Sequence, residues 1–135
     1  MIRIIIWFKP YSRYFLVMLT LAITIVSSIP NIPTLKIHTA KSEIRLDYVM
    51  HFCEYGLLTF LAFLSFAGKE FRIDQRKAVL ILISLILFAI LDEYHQKFIP
   101  GRAFNTKDIL SNITGILAVI IFTFVVFRFV RGRLK

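Results

Sequence analysis

Residues 91–102 read LDEYHQKFIPGR and close an apolar run, 78–91. As a helix, the 14 residues of this run rise only about 21 Å, whereas the hydrocarbon core of a bilayer is about 30 Å thick. A membrane span of sufficient length must therefore continue by about six residues into the polar stretch. Asp92, Glu93 and Gln96 would then lie at or below the membrane surface, where ionisable groups are costly and usually functional.

The apolar residues of the whole chain are arranged in blocks. They make up 58% of the sequence, which a soluble domain could also contain, but they do not alternate with polar residues at a helical or strand period. Helices are favoured because a segment in lipid must satisfy its own backbone hydrogen bonds. We predict an all-α, integral membrane four-helix bundle, a single domain over 1–135 with spans at about 14–29, 48–67, 78–97 and 109–127.

The basic residues are distributed unequally around these spans. Eleven of the 17 Lys and Arg residues lie before the first span, between the second and third, or after the fourth, and six lie in the other two loops. By the positive-inside rule, both termini are cytoplasmic and the loops containing 36–45 and 97–107 are extracytoplasmic. The net charge of +9 is explained by attraction to anionic lipid, so no nucleic-acid partner is predicted.

The first span has a second interpretation. Arg13, the apolar stretch 14–26 and the small Ser27-Ser28 pair also fit a cleavable signal peptide. The bulky apolar run 2–8 ahead of Arg13 argues against this, because a signal peptide begins with a short polar segment. That opening run is followed by Lys9-Pro10 and is predicted to be an interfacial segment.

The polar residues inside the spans fall on shared helix faces. In the second span, Asp47, His51 and Glu54 stand at i, i+4 and i+7, within an arc of about 60° at 100° per residue. The fourth span and the end of the third carry polar residues at similar spacings. We therefore predict one polar cluster near the outer surface, with the ligand-binding residues Asp47, His51, Asp92, Glu93, Gln96, Arg102, Asp108 and Asn112.

Four short motifs resemble those of a known family, the VanZ-like membrane proteins. Residues 27–30 read SSIP, 46–52 fit LDxxxHF, 92–102 fit DExxQxFxPGR, and 108–115 fit DxxxNxxG. The chain departs from the family pattern at Tyr48, where Lys is common. Glu54 and His95 occupy positions that the pattern leaves open.

The resemblance implies a four-helix protein of the bacterial plasma membrane, linked through the family to resistance to glycopeptide antibiotics of the teicoplanin kind. It implies a phenotype in the cell envelope and no settled chemical activity.

Several of these residues also have structural interpretations. Arg102 could be the counter-ion of Asp92 and Glu93, Pro100-Gly101 fits a turn, and Asp108 is placed to cap the fourth helix. A metal site could use His51-x-x-Glu54 with Asp47, Glu93 or His95. The spacing is not the His-Glu-x-x-His of zinc proteases, however, so no metal and no other cofactor is predicted.

Two functions remain from the sequence. In the first, Arg102 with Lys97 or Lys107 binds the anionic group of a membrane lipid or lipid-linked envelope precursor. In the second, the protein is an enzyme in which Glu93 or Asp108 acts with His51 as general acid and base on such a substrate. We favour binding because no nucleophile motif is present. Proton-coupled transport is disfavoured because few polar groups lead to the inner side, and the sequence does not indicate an oligomeric state.

Overall fold

A computed structural model describes residues 2–32, 36–38 and 43–134. Its helices are α1 (Ile2–Phe8), α2 (Ser12–Ser27), α3 (Leu46–Phe66), α4 (Gln75–Gln96) and α5 (Thr106–Leu134), with a 3-10 turn at Lys9–Tyr11 and short strands β1 (Lys36–His38) and β2 (Glu43–Arg45).

Four helices are long and apolar enough to cross a membrane: Arg3–Ser27, Leu46–Phe66, Gln75–Gln96 and Thr106–Arg133. The predicted all-α four-helix membrane fold is confirmed. Helices α2 to α5 each begin two or three residues before the predicted spans.

The opening run 2–8 is helical and joins the first span. Helices α1 and α2 are linked by the 3-10 turn, and Pro10 occupies the first turn of that element. A proline is tolerated there because its missing N–H would have no helical acceptor. The helix type thus changes locally at Lys9-Pro10 within the candidate span Arg3–Ser27, and the interfacial position of 2–8 stays a prediction.

A small hairpin joins α2 to α3. Strands β1 and β2 pair antiparallel, with Lys36 opposite Arg45 and His38 opposite Glu43. The sequence analysis treats this segment only as a loop. Residues 39–42 of the predicted extracytoplasmic loop lie outside the described residues.

Helix α3 lies at the centre of the bundle, and its most extensive contact is with α5. Two glycines allow these helices to approach closely. A Cβ at Gly115 would lie 2.3 Å from the carbonyl oxygen of Phe52, and a Cβ at Gly56 would lie 2.9 Å from Val119 Cγ2. This close packing brings the polar face of α5 directly against that of α3.

The bundle has two different ends. At one, Lys9 Nζ donates to the carbonyl of Gly68, and the rings of Phe71 and Phe127 lie 5.5 Å apart. We call this end, formed by 9–11, the α3–α4 loop and the last turns of α5, the basic end. The opposite end is formed by the C-termini of α2 and α4 and the N-termini of α3 and α5. We call it the polar end.

Candidate functional site

A cavity of about 400 Å³ opens at the polar end. It lies between α2, α3, α4 and the loop that leads into α5. We call it the polar cavity. Its polar lining residues come from all of these segments: Ser27, Arg45, Asp47, His51, Glu54, Asp92, Gln96, Arg102, Asn105 and Asp108.

Asp92 is held in the wall of this cavity by hydroxyl groups from two other helices. Ser27 Oγ donates to Asp92 Oδ1 at 2.6 Å, and the Tyr55 hydroxyl donates to Oδ2 at 3.3 Å. Both donors are buried. Asp92 therefore links the C-terminal parts of α2 and α4 to the middle of α3 through hydrogen bonds.

Arg102 binds the end of α2. Its Nη2 donates to the carbonyl of Val26 at 2.9 Å and its Nε to the carbonyl of Ile29 at 3.3 Å. Carbonyls at the end of a helix lack the regular i+4 donor, so Arg102 supplies an additional donor to the Val26 carbonyl and one to the Ile29 carbonyl just after the helix. The alternative in which Arg102 pairs directly with Asp92 or Glu93 is not observed, since within the described ranges neither acid lies within 4.0 Å of the Arg102 nitrogens.

The turn before Arg102 fits closely against the chain that leaves α2. Gly101 has φ +74°, and a Cβ there would lie 1.9 Å from Asn31 Oδ1. The Asn31 N–H donates to the carbonyl of Pro100 at 3.2 Å. Gly101 is suited to this position because it adopts a positive φ without steric cost. The turn predicted at Pro100-Gly101 is thus observed, and it positions Arg102.

Glu93 is completely buried and bonded at both oxygens. Its Oε1 accepts from the backbone N–H of Asn105 at 2.7 Å, and its Oε2 accepts from Gln96 Nε2 at 3.3 Å. These bonds fix the Glu93 carboxyl next to the start of α5.

Asn105 also begins α5, because its Oδ1 accepts from the backbone N–H of Lys107 at 3.1 Å. The prediction that Asp108 caps this helix is therefore wrong: the helix starts at Thr106, and Asp108 is the third residue of its first turn. Its carboxylate is directed to the bundle instead, with the residue 7% exposed.

Three titratable side chains from three helices meet beside the cavity. One potential ligand atom from each of His51, Glu93 and Asp108 lies within 4.8 Å of the other two. His51 Nε2 and Asp108 Oδ2 are 3.9 Å apart, which is too long for a hydrogen bond. Buried side-chain atoms without a hydrogen-bond partner in the described part of the chain are His51 Nδ1, Asp108 Oδ1 and both amide atoms of Asn112.

A cation at the cavity rim was not assigned a role from the sequence. Arg45 donates to Asp47 Oδ2 through Nη2 at 2.9 Å and Nε at 3.2 Å, and its guanidinium lies 5.0 Å from the ring centroid of Tyr48. The Asp47 carboxylate raises the pKa of Arg45 by stabilising its charged form. The sequence feature that could have identified Arg45 is its position two residues before Asp47, near the predicted start of the second span.

Most of the predicted ligand-binding residues lie together. The polar cavity is lined by Asp47, His51, Asp92, Gln96, Arg102 and Asp108. Glu93 and Asn112 are buried beside it in α4 and α5. By contrast, His95, Lys97 and Lys107 are exposed and do not line it. The sequence analysis assigned no role to Tyr55 or Asn105, because nothing in the sequence spacing shows which helix they would contact.

A second cavity, of about 550 Å³, lies between α2, α3 and α4 nearer the basic end. We call it the apolar groove. Its lining is almost entirely apolar apart from two hydroxyl groups and a lysine, and consists of Leu16, Thr20, Leu58, Ala62, Phe66, Lys77, Leu80, Ile81, Ser84, Leu85 and Phe88.

Comparison with known proteins gives one family. The model of the VanZ/LLP1 family matches residues 4–128. No curated protein and no solved structure matched the chain. The family match covers the second and third spans, most of the first and fourth, and the polar end described above, so this chain belongs to the VanZ/LLP1 family.

Proposed function

We propose that this protein binds an anionic lipid or lipid-linked precursor of the cell envelope, with the headgroup in the polar cavity and the hydrocarbon chain in the apolar groove. The observation that carries the proposal is that the same faces of three helices line both. On α3, the polar cavity is lined by residues 47, 51 and 54, and the apolar groove by 58, 62 and 66. This spacing of three or four residues follows one side of the helix.

The other two helices repeat the pattern. On α2, Leu16 and Thr20 line the groove, whereas Ile23 and Ser27 line the cavity. On α4, the corresponding change from apolar to polar occurs between Phe88 and Asp92. A site that is apolar along its length and polar at one end matches the chemistry of a lipid.

Cations at the cavity favour an anionic headgroup. Arg45 and Arg102 both line it. Guanidinium groups bind phosphate and carboxylate oxygens through directed hydrogen bonds. The amide of Gln96 and the hydroxyl of Ser27 could bind uncharged polar parts of the same headgroup.

The location of this site in the cell is part of the proposal. The excess of Lys and Arg at the termini and in the α3–α4 loop favours a cytoplasmic basic end and an extracytoplasmic polar end. The resemblance to VanZ-like proteins favours the bacterial plasma membrane and a role in resistance to teicoplanin-type antibiotics. An envelope lipid at the outer surface fits both this orientation and the family resemblance.

One observation favours a second candidate, an enzyme acting on the same lipid. His51 and Asp108 line the cavity 3.9 Å apart, with Glu93 beside them. A histidine and carboxylates at such distances can exchange protons with a bound substrate. Conversion of the added lipid to a new product by the purified protein would favour this candidate.

The binding proposal is tested with a polyprenyl phosphate and purified protein in detergent, using the uncharged polyprenol for comparison. Leu80→Trp should fill the apolar groove, because Leu80 lines it yet is 63% exposed. We expect this variant to bind the phosphate about tenfold more weakly, the equivalent of losing contact with about two methylene groups. Native mass spectrometry measures the bound lipid.

Leu87→Trp is the matched control, since Leu87 lies on the same helix, is 53% exposed and does not line the groove. It should bind as the unsubstituted protein does. Equal binding of polyprenol and polyprenyl phosphate would contradict the anionic headgroup. Equal weakening by both Trp substitutions would contradict the groove.

A further inference from the structure

We propose that His51, Glu93 and Asp108 bind a divalent transition-metal ion of the Zn²⁺ or Mn²⁺ type at the wall of the polar cavity. The remaining coordination positions of the ion would bind an anionic oxygen of the headgroup, and this second part rests on the proposed function. The sequence predicted no metal, since no ligand spacing within one helix fits. The three candidate ligands stand on three different helices, α3, α4 and α5.

The geometry requires only small movements of side chains. Ligand atoms bonded to a tetrahedral Zn²⁺ at about 2.0–2.1 Å are about 3.3 Å from one another. The atoms of His51, Glu93 and Asp108 lie within 4.8 Å, and the His51–Asp108 pair is 3.9 Å apart. Rotation about the side-chain bonds of Glu93, Asp108 and His51 can close such gaps.

A second layer of hydrogen bonds orients these ligands. Asn105 donates its backbone N–H to Glu93 and caps α5 with its side chain. It thereby fixes the relative positions of Glu93 and Asp108. Metal ligands are commonly oriented by such partners, whose loss weakens metal binding. Gln96 adds a second bond to Glu93.

The unpartnered atoms are an independent indication of a ligand. More than about 90% of buried polar groups in proteins have a hydrogen-bond partner, and each that lacks one costs about 1–3 kcal/mol. Among the residues that the structure describes, His51 Nδ1, Asp108 Oδ1 and the whole amide of Asn112 lack partners. Asn112 is completely buried one helical turn after Asp108, on the same face of α5. A bound ion with its water or headgroup oxygens would satisfy these atoms.

The charges of the cavity favour a cation for a second reason. Four carboxyl groups line it, those of Asp47, Glu54, Asp92 and Asp108, against two guanidinium groups. Of these, Arg45 is paired with Asp47, and Arg102 donates to backbone carbonyls. An anionic headgroup would therefore meet carboxyl groups as well as the two guanidinium groups. A divalent ion would offset this excess of carboxyl groups and offer a coordination position to an anionic oxygen.

The donor atoms indicate the class of metal. One imidazole nitrogen with two carboxylates suits Zn²⁺ or Mn²⁺, whereas Mg²⁺ and Ca²⁺ prefer oxygen ligands alone. Coordination by three protein side chains leaves at least one position open, as in catalytic rather than structural zinc sites.

The test uses the full chain purified in detergent and stripped with a chelator, then titrated with Zn²⁺ or Mn²⁺ alone. Elemental analysis measures bound Zn²⁺, and electron paramagnetic resonance measures bound Mn²⁺. We expect about one ion per chain, and binding more than about tenfold weaker in His51→Gln and Asp108→Asn. His95→Gln is the matched control, because His95 is an exposed histidine of α4 outside the cluster.

Thermal unfolding separates loss of the site from loss of the fold. In chelator, Asp108→Asn should unfold at or above the temperature of the unsubstituted protein, because it removes a buried carboxylate with an unpartnered oxygen. Zn²⁺ should raise the unfolding temperature of the unsubstituted protein and His95→Gln only. Equal zinc stabilisation of His51→Gln would overturn the metal site.

Polyprenyl phosphate binding with and without chelator tests the second part. Lipid binding that is lost in chelator supports coordination of the headgroup by the ion. Lipid binding unchanged by chelator overturns this coordination. Zinc binding without any lipid binding would retain the metal site and contradict the proposed function.

Discussion

The two ends of the bundle differ in how far their charged side chains are exposed. At the basic end, Glu70 and Arg72 form an ion pair of 3.1 Å in which both side chains are 71% exposed. At the polar end, the carboxyl-bearing residues Asp92, Glu93 and Asp108 are at most 7% exposed. An exposed pair contributes no more than about 1 kcal/mol, whereas burial of a carboxyl group destabilises the fold unless partners compensate.

This difference indicates where function lies. Lys and Arg near lipid headgroups are explained by attraction to the membrane alone. Buried acids have no such general explanation, and hydrogen bonds satisfy Asp92 and Glu93 but leave Asp108 with an unpartnered oxygen. The polar end therefore contains groups that stability alone does not account for, and the following changes contrast it with the basic end.

The largest contrast is expected in access from outside the cell. In a Cys53→Ser background, which removes an exposed thiol, Ala103→Cys marks the polar end and Glu70→Cys the basic end. The positive-inside rule predicts that an impermeant maleimide labels intact cells only at position 103. Permeabilised cells provide the control, because both positions should then react. Labelling of intact cells at position 70 alone would reverse the proposed orientation.

Run length and hydropathy were sufficient to predict the fold. The four spans follow from blocks of apolar residues, because the cost of unpaired backbone groups in lipid leaves few alternatives to helices. Helix ends were less predictable. The side chain of Asn105 caps α5, whereas Asp108 was predicted to do so. At its other end the helix continues to Leu134 through basic residues, whose long side chains can reach water.

The sequence predicted which polar residues share a face of one helix, but not the contacts between helices. Helical periodicity identified the polar faces containing His51 and Asp108. It could not show which partners other helices supply, so the bonds of Ser27 and Tyr55 to Asp92, and those of Arg102 to the end of α2, were not expected. For the same reason the candidate metal ligands His51, Glu93 and Asp108 were not predicted, because they stand on three helices and the spacing within one helix does not relate them.

The second contrast concerns helix packing. Gly115→Ala should lower the free energy of unfolding by about 3 kcal/mol, because the new methyl group would lie 2.3 Å from the Phe52 carbonyl and force α3 and α5 apart near the polar cavity. Thermal or denaturant unfolding in detergent measures the change.

Gly132→Ala is the matched substitution near the basic end of the same helix. Among the described residues, no atom outside the neighbouring residues and backbone of α5 lies within 4 Å of a Cβ there, so a neutral effect or a gain of about 0.5–1 kcal/mol from the better helix former is expected. A loss of similar size in both variants would show that α5 responds to helix propensity or lipid contact rather than to its approach to α3.

The smallest contrast compares two arginines. Arg102→Ala should lower the free energy of unfolding by about 1.5 kcal/mol, because two carbonyls at the end of α2 lose a charged donor. Arg72→Ala, which removes the exposed partner of Glu70, should change it by less than about 0.5 kcal/mol. Arg102→Lys should fall between the two, since an ammonium group cannot reproduce the spacing of Nε and Nη2.

The size of the Arg102→Ala effect separates two accounts of the polar end. Loss of a counter-ion to buried carboxylates would cost about 3–5 kcal/mol, because an unpaired charge would remain in the bundle. A loss that large would mean that Arg102 neutralises Asp92 or Glu93 in the membrane. A loss near 1.5 kcal/mol would support its role in joining the 97–105 loop to α2, and the acids would then depend for their charge balance on what the cavity binds.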